Sequence, residues 1–275
     1  MLVDIISDTH FDSWFGFKEM PDKESIIDFW RTLKPKGNYL IVAGDLGHNI
    51  VQNIHILKVL KEVFYKEIII TLGNHDCYLV GFKLFQSVDS KIKNSLKRYK
   101  ESGIIVLDGI VVEIEGAKFG GAMGWYNNAY VVKNRAHLLG VHHINQLNPT
   151  NAFLQDLWHS HPDCKGTRLD RFDRLFEEEY AKLKAVHQSC DVMVSHFNPS
   201  ANMEFQTKGW EKDPATSFFC FDGEELAIKT SAKIWIYGHT HECKMYIWHN
   251  KKFVTSALGY KSEHYKGKIT TREII

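Results

Sequence analysis

The 275-residue chain balances 34 lysines and arginines against 33 aspartates and glutamates, a formal net charge of +1, so no global attraction to a polyanion marks it as an obligatory nucleic-acid binder. With 44% hydrophobic and 24% charged residues the composition is that of one large soluble globular domain over residues 1–275, and no apolar run is long enough to span a bilayer. Five cysteines without a C-x-x-C pair, behind a start that lacks a basic leader and a long apolar stretch, predict a reducing, cytoplasmic setting.

In chain order, a short β-branched run over residues 2–7 predicts the first strand. Helical spacing follows over 25–33, then a strand over 39–43, a helix over 51–64 and a strand over 67–72. Strand, helix, strand, helix is the layout of a sheet covered on both faces. The basic run Lys91, Lys93, Lys97, Arg98 and Lys100 reads as the solvated face of a surface helix rather than a nucleic-acid patch. Strands are predicted next over 104–107, 110–114 and 118–123. Weak periodicity with mixed Asn, His and Pro predicts an irregular insertion over about 125–170. Residues 168–187 carry Leu169, Phe172, Leu175, Phe176, Leu183 and Val186 at three- and four-residue steps, which predicts a long amphipathic helix. Strands over 191–195 and 233–237 bracket a helix that Asp222 opens, three residues before Glu225, in the manner of a capping box. Residues 244–248, 252–257 and 268–273 read as an antiparallel C-terminal sheet.

Each strong strand runs into a polar motif. Asp8-Thr9-His10 follows the first, Gly44-Asp45-Leu46-Gly47-His48 the second and Gly73-Asn74-His75-Asp76 the third. Ser195-His196-Phe197 and Gly238-His239-Thr240-His241 follow two later strands. Open α/β sheets place their sites at the carboxyl ends of strands. Hydrolysis of a phosphate ester near neutral pH needs a strong nucleophile and neutralised phosphoryl oxygens, which two divalent ions about 3.5–4 Å apart provide. A carboxylate flanked by glycine suits the bridging position, and Asp45 is that residue; imidazole and amide oxygen complete the shells. Residues two apart on an extended segment share a face, so Asp8 and His10 are expected to hold one ion together, and His239 and His241 to project together. A structural zinc site fits less well, since such sites favour Cys and close at four ligands.

In this order D-x-H, G-D-x-x-H, G-N-H-D, S-H with Pro soon after, and G-H-T-H resemble the motifs of the calcineurin-like metallophosphoesterase superfamily, in particular its small bacterial or phage-type members, from Asp8 to His241. The resemblance implies an α/β fold, a four-layer αββα sandwich. It also implies two divalent metal ions, manganese first with iron or zinc as alternatives. Asp8, His10, Asp45 and His241 would hold one; Asp45, Asn74, His196 and His239 would hold the other. His75 matches the family's histidine that donates a proton to the leaving oxygen or stabilises the phosphoryl charge, and Asp76 is expected to orient it by a hydrogen bond. Residues 120–126 resemble a glycine-and-tryptophan strand end beside the cleft in a bacterial branch. Trp125 and Tyr126 are therefore candidate substrate-binding residues, against the alternative of core packing. His48 is a further candidate, as a substrate contact or a support to the ligands, and His142 and His143 in the insertion are others.

The chain also departs from its relatives. Gly47-His48-Asn49 and Cys77-Tyr78 stand where eukaryotic-type protein phosphatases carry arginines, which argues against phosphoprotein substrates. His48 stands where purple acid phosphatases carry a tyrosine ligand, and Phe197 where the bacterial branch often has a second histidine. The reaction implied is hydrolysis of a phosphomonoester or phosphodiester by a metal-bridging hydroxide, with small phosphodiesters or nucleotides preferred by analogy. A nuclease subunit of the recombination-repair type shares the motifs but normally needs a basic groove and a partner ATPase. A non-catalytic scaffold typically loses the ligands that this chain keeps.

Overall fold

The computed structural model describes residues 1–79, 87–138, 152–263 and 268–274, and among these eleven strands and ten helices form. The strands are β1 (Leu2–Ile6), β2 (Tyr39–Ala43), β3 (Glu67–Thr71), β4 (Ile105–Val106), β5 (Ile110–Ile114), β6 (Ala117–Gly121), β7 (Val192–Val194), β8 (Ile234–Tyr237), β9 (Cys243–Trp248), β10 (Lys251–Ser256) and β11 (Thr270–Glu273). The helices are α1 (Phe11–Phe15), α2 (Lys23–Thr32), α3 (Ile50–Val63), α4 (Asn74–Cys77), α5 (Val88–Glu101), α6 (Ala129–Leu138), α7 (Ala152–Ser160), α8 (Pro162–Thr167), α9 (Asp173–Val186) and α10 (Glu224–Lys229).

Strands β1 to β4 lie side by side and parallel, with β11 antiparallel on the outer side of β1. The second sheet runs β5-β6-β7-β8-β10-β9, parallel from β6 to β10 and antiparallel at both edges. Side-chain alternation then sets the layers. Val3, Ile5, Ile41 and Ile69 of the first sheet pack on Phe119, Val192, Val194 and Ile236 of the second, all buried. The opposite faces bury against helices: Leu40, Val42 and Ile68 meet Ile26, Trp30, Leu57 and Leu60 of α2 and α3, while Met193 and Trp235 share a core with Leu183 and Val186 of α9. Two sheets flanked by helices make the α/β sandwich that the motif order implies.

Local chemistry fixes the helix starts. Asp22 accepts from the Ser25 N–H at 2.7 Å to open α2, and Asn49 accepts from the Val51 N–H at 3.1 Å to open α3. A buried chain of hydrogen bonds, Trp30 Nε1–H to Tyr65 hydroxyl (2.9 Å) and Tyr65 to Asp4 Oδ2 (3.0 Å), pins α2 to β1 and satisfies the charge that interrupts the first strand. Ser7, just past β1, bridges in parallel to Ala257, just past β10, so the two sheets join at one corner. There the carboxyl ends of β1, β2, β3, β7 and β8 converge.

Several expectations are corrected. The long helix starts at Asp173 rather than at 168, because Arg168 takes a left-handed φ of 57° to end α8. Asp222 forms no capping box: α10 is capped by Gly223, and Asp222 Oδ1 accepts only from the Glu224 N–H at 3.3 Å. The third C-terminal segment leaves its neighbours, since β11 covers the edge of β1 in the other sheet. Within 125–170 most of the described residues are helical (α6, α7 and α8), with irregular chain left at 125–128 and 168–170. The four-residue step from Leu154 to Trp158, both fully buried, is one turn of a helix too short to show as a period. His142 and His143 lie outside the described residues. On α5 Lys91 is not solvated: it is buried, and its ammonium donates to the Tyr78 carbonyl.

One buried charge on α9 gives the fold a measurable pH signature. Glu179 accepts from the Gly124 N–H at 3.2 Å and from Lys182 at 2.6 Å. Lys182 divides its charge between Glu179 and Asp108, so burial prevails and pushes the Glu179 carboxyl from 4.5 up to about 6. A folded pKa above the unfolded one contributes stability that is full below about pH 4.5 and lost as pH rises through about 6, roughly 2 kcal/mol in all. Glu179→Gln is expected to flatten the fall in unfolding free energy over that window by this amount. Urea titrations with equal pH slopes for the two proteins would refute it.

Candidate metal centre

The site is built on strained backbone. Asp8 (φ 51°), His10 (37°), Asp45 (55°), His239 (69°) and His241 (50°) all sit in the left-handed region, at a cost of roughly 1–3 kcal/mol each. This corrects the expected basis of the D-x-H and H-x-H pairs. Their side chains converge through left-handed turns after the strand ends, not by sharing a face of extended chain. Two glycines make room. A Cβ on Gly73 would lie 2.1 Å from Asp45 Oδ1, and one on Gly44 would lie 2.4 Å from His196 Nδ1.

The candidate ligand atoms fall into groups that meet at Asp45. Asp8, His10 and His241 bring one atom each within 4.8 Å of one another, and so do Asp45, His196 and His239. Asp45 Oδ2 lies 3.4 Å from His196 Nε2 and 3.8 Å from His10 Nε2, between the two groups, while Oδ1 accepts from the His75 N–H at 2.9 Å. Asn74 joins the second group, its Oδ1 lying 2.9 Å from His196 Nε2 and 3.1 Å from His239 Nδ1.

The outward hydrogen bonds decide which atoms face inward. His196 Nδ1–H donates to the Ala43 carbonyl (2.9 Å), His239 Nε2–H to the Phe218 carbonyl (3.1 Å) and His241 Nδ1–H to Glu263 (2.8 Å). Asn74 Nδ2 donates to Asp163 Oδ1 at 2.8 Å, which turns the amide oxygen inward. Ring nitrogens therefore face one another: His239 Nδ1 lies 3.2 Å from His196 Nε2, and His10 Nε2 lies 3.2 Å from His241 Nε2. His10 Nδ1 is buried with no partner among the described residues. Carboxylate, amide oxygen and imidazole in this arrangement are donors that suit divalent cations.

Electrostatics agree with that fit. Burial pushes the Asp8 carboxyl up, whereas at Asp45 the pull of His196, His75 and His10 outweighs burial and holds it well below the usual range. Against its own burial, His196 is raised to about 9 by Asp45 and Asp8. Burial drives His10 and His239 well below their ordinary value. Positive charge is wanted beside the carboxylates, and most of the rings there resist taking up a proton.

His75 lies among these groups, but Asp76 does not orient its ring. Asp76 Oδ2 accepts from the backbone N–H of Gly73 (2.9 Å) and Leu46 (3.4 Å), and burial raises its carboxyl to about 7. The His75 ring instead meets His48 Nε2 through Nδ1 (3.2 Å) and the Tyr260 hydroxyl through Nε2 (3.1 Å). His48 in turn holds Asp12 Oδ2 through Nδ1 at 2.7 Å, so it supports His75. Trp125 and Tyr126 are fully buried and wall no cleft. Trp125 packs on Tyr126 and Phe197, and the Tyr126 hydroxyl donates to Asp163 Oδ2 at 2.8 Å. Sequence reasoning missed Asp163, Tyr260 and Glu263. Tyr260 stacks on the His10 ring at 4.1 Å. Asp163 stands in the first turn of the short helix α8 and Tyr260 and Glu263 in the segment after β10, and no local motif announces them.

The family model for calcineurin-like phosphoesterases matches residues 1–243. An uncharacterised protein of Acanthamoeba polyphaga mimivirus is 22% identical over 258 residues, covering 88% of this chain and 86% of the viral one. Among solved structures, phosphopantetheinyl hydrolase from Mycobacterium tuberculosis aligns with a TM-score of 0.63 at 16% identity, over 98% of this chain and 95% of its own. That likeness is one of fold.

Gly73→Ala tests the close approach at Asp45. It is expected to keep the far-ultraviolet dichroism of the wild type while weakening ion binding by about 10- to 100-fold, the usual cost of disturbing a ligand's support. Equal manganese content for the two proteins after dialysis against limiting metal would contradict it.

Proposed function

The chain belongs to the calcineurin-like phosphoesterase family, and on that premise we propose that it is a two-metal hydrolase of small phosphate esters. The observation that carries this reading is the set of inward-facing acceptors on Asp8, His10 and His241 on one side and on Asn74, His196 and His239 on the other, with Asp45 Oδ2 between them. When bound, two divalent cations supply charge for the phosphoryl oxygens and a water acidic enough to ionise near neutral pH.

The chain's own residues then have separate tasks. Asp8, His10, Asp45 and His241 would hold one cation; Asp45, Asn74, His196 and His239 would hold the other, with manganese the first choice and iron or zinc alternatives. Glu263, Asp163 and the Ala43 and Phe218 carbonyls fix the ligand rings and amide from behind. His75 donates a proton to the leaving oxygen or stabilises the phosphoryl charge through Nε2, the atom that Tyr260 orients and that His48 and Asp12 support through the far side of the ring.

Beside these residues lies a cavity of about 430 Å³, lined in part by Asp45, Asn74, His75, His239 and His241. That volume suits one small organic ester and not a folded phosphoprotein or duplex nucleic acid. Phosphodiesters and nucleotides remain the preferred substrates, by analogy with small members of the family. The burial of Lys91 takes the first lysine out of the basic run, which counts against a nuclease groove on α5.

Purified protein supplied with Mn²⁺ is expected to bind two ions and to turn over bis-p-nitrophenyl phosphate or p-nitrophenyl phosphate. Ions bound without turnover of any ester would sink the reading. His75→Ala should keep both ions and lower turnover by roughly 10²- to 10⁴-fold, as lost general acid catalysis does; unchanged activity would mean its role is misassigned. Asp45→Asn should weaken both ion positions, and elemental analysis showing loss of one ion alone would count against the shared carboxylate.

A further inference from the structure

The wall of the cavity is aromatic on the side of His239. Phe219 lies 5.2 Å ring to ring from that histidine, and Trp210 meets Phe219 edge-on at 5.9 Å. Trp210 lines the cavity yet is 47% exposed, so much of its ring is open to solvent or to a ligand. Single exposed aromatics are common on protein surfaces. This one differs in its position beside the ligand groups and in how firmly it is held.

Residues 203–218 present Trp210 between two short 3₁₀ turns, Met203–Phe205 and Pro214–Phe218. Phe205 stacks on Tyr246 of β9 at 4.2 Å, and Lys244 Nζ donates to the carbonyls of Phe205 (2.6 Å) and Gln206 (2.9 Å). The Thr216 hydroxyl donates to the Trp210 carbonyl at 2.6 Å. With the backbone that carries it held in advance of binding, the indole loses less entropy when a ring stacks on it.

Charge adds a second constraint. No lysine or arginine lines the cavity among the described residues, while Glu263 contributes a partly exposed carboxylate. Among the described lining residues a second phosphate on the substrate would find no lysine or arginine as counter-charge.

We propose that the site selects esters of a single phosphate whose retained arm is a flat aromatic group, nucleoside or aryl, stacked on Trp210. The assignment rests on the phosphoesterase reading above and names the substrate class that reading leaves open. Stacking of a base on an aromatic side chain changes affinity by roughly 5- to 150-fold on alanine substitution.

Three substrates with one leaving group test it: the p-nitrophenyl esters of thymidine 5′-phosphate, phenyl phosphate and methyl phosphate. In each, the oxygen of water forms the new bond to phosphorus as p-nitrophenolate leaves, so only the retained arm differs. With Mn²⁺-loaded protein, kcat/KM for the thymidine or phenyl ester relative to the methyl ester is expected to fall about 5- to 150-fold in Trp210→Ala, through KM, and to be largely kept in Trp210→Phe. A fall for both arms assigns any flat ring, and a fall for one assigns that arm. Unchanged ratios for both overturn the proposal. Calorimetric binding of thymidine 5′-phosphate to His75→Ala protein, with and without Trp210→Ala, reads the same contact without turnover. If the wild type hydrolyses none of the three and no p-nitrophenyl phosphate either, the phosphoesterase reading fails, and the calorimetry still decides the platform. Thymidine 5′-diphosphate is expected to bind no more tightly than the monophosphate; tighter binding would remove the single-phosphate restriction.

Discussion

Asp8 and Asp45 are carboxylates almost without exposure to water, and their charge dictates what surrounds them. A buried carboxylate is costly unless positive charge lies beside it. His196, His10 and His75 lie within 4.0 Å of Asp45 Oδ2, and His241 lies 3.7 Å from Asp8 Oδ1. Of these rings His196 takes a proton readily, while burial opposes protonation of His10 and His75. The pocket so built holds more inward lone pairs than protons. That imbalance distinguishes a cation site from an ordinary buried hydrogen-bond network, in which every acceptor meets a donor.

The same constraint accounts for the shape of the surrounding chain. To bring seven such groups together, parallel strands must end level and then turn sharply, and five of the groups do so in left-handed conformations that strands do not use. The glycines at 44 and 73 accept the crowding this creates. Farther out, the rings of His196, His239 and His241 and the amide of Asn74 are each fixed by an acceptor on the far side, and some acceptors belong to distant stretches: Glu263 near the C-terminus, Phe218 in the 3₁₀ turn before α10, Asp163 in α8. A ligand set that must keep its lone pairs aimed at one point needs these restraints as much as it needs the ligands.

Much of this was legible in the sequence, and the limits follow from range. The strand cores read correctly because β-branched runs such as Tyr39–Ala43 bury both faces, and the motif after each run is contiguous. The fold followed from the order of those motifs. Turn geometry was not legible: Asp8 and His10 do converge, but the extended spacing invoked for them is absent. The support of His75 was misread as coming from its neighbour Asp76, whose carboxylate is occupied by the backbone N–H groups of Gly73 and Leu46. The true partners, His48 and Tyr260, lie 27 and 185 residues away. Likewise Trp125 and Tyr126 are core aromatics whose sequence context looks the same whether they face a cleft or Phe197. Non-local contacts of single residues leave no periodic trace in one sequence.

The division between floor and wall explains which half of the function a sequence discloses. The floor stands on strand ends, where register fixes each side chain relative to the next and only a few residue types can serve. The wall comes from segments around 161–163, 207–219 and 260–263, set by individual packing contacts rather than by sheet register. Loops of that kind can change residue by residue without disturbing the strands that hold the ligands. The strand-end motifs are therefore legible in one sequence, whereas the residues that wall the cavity, Trp210 and Glu263 among them, are not, and a chain of this family can vary the second without disturbing the first.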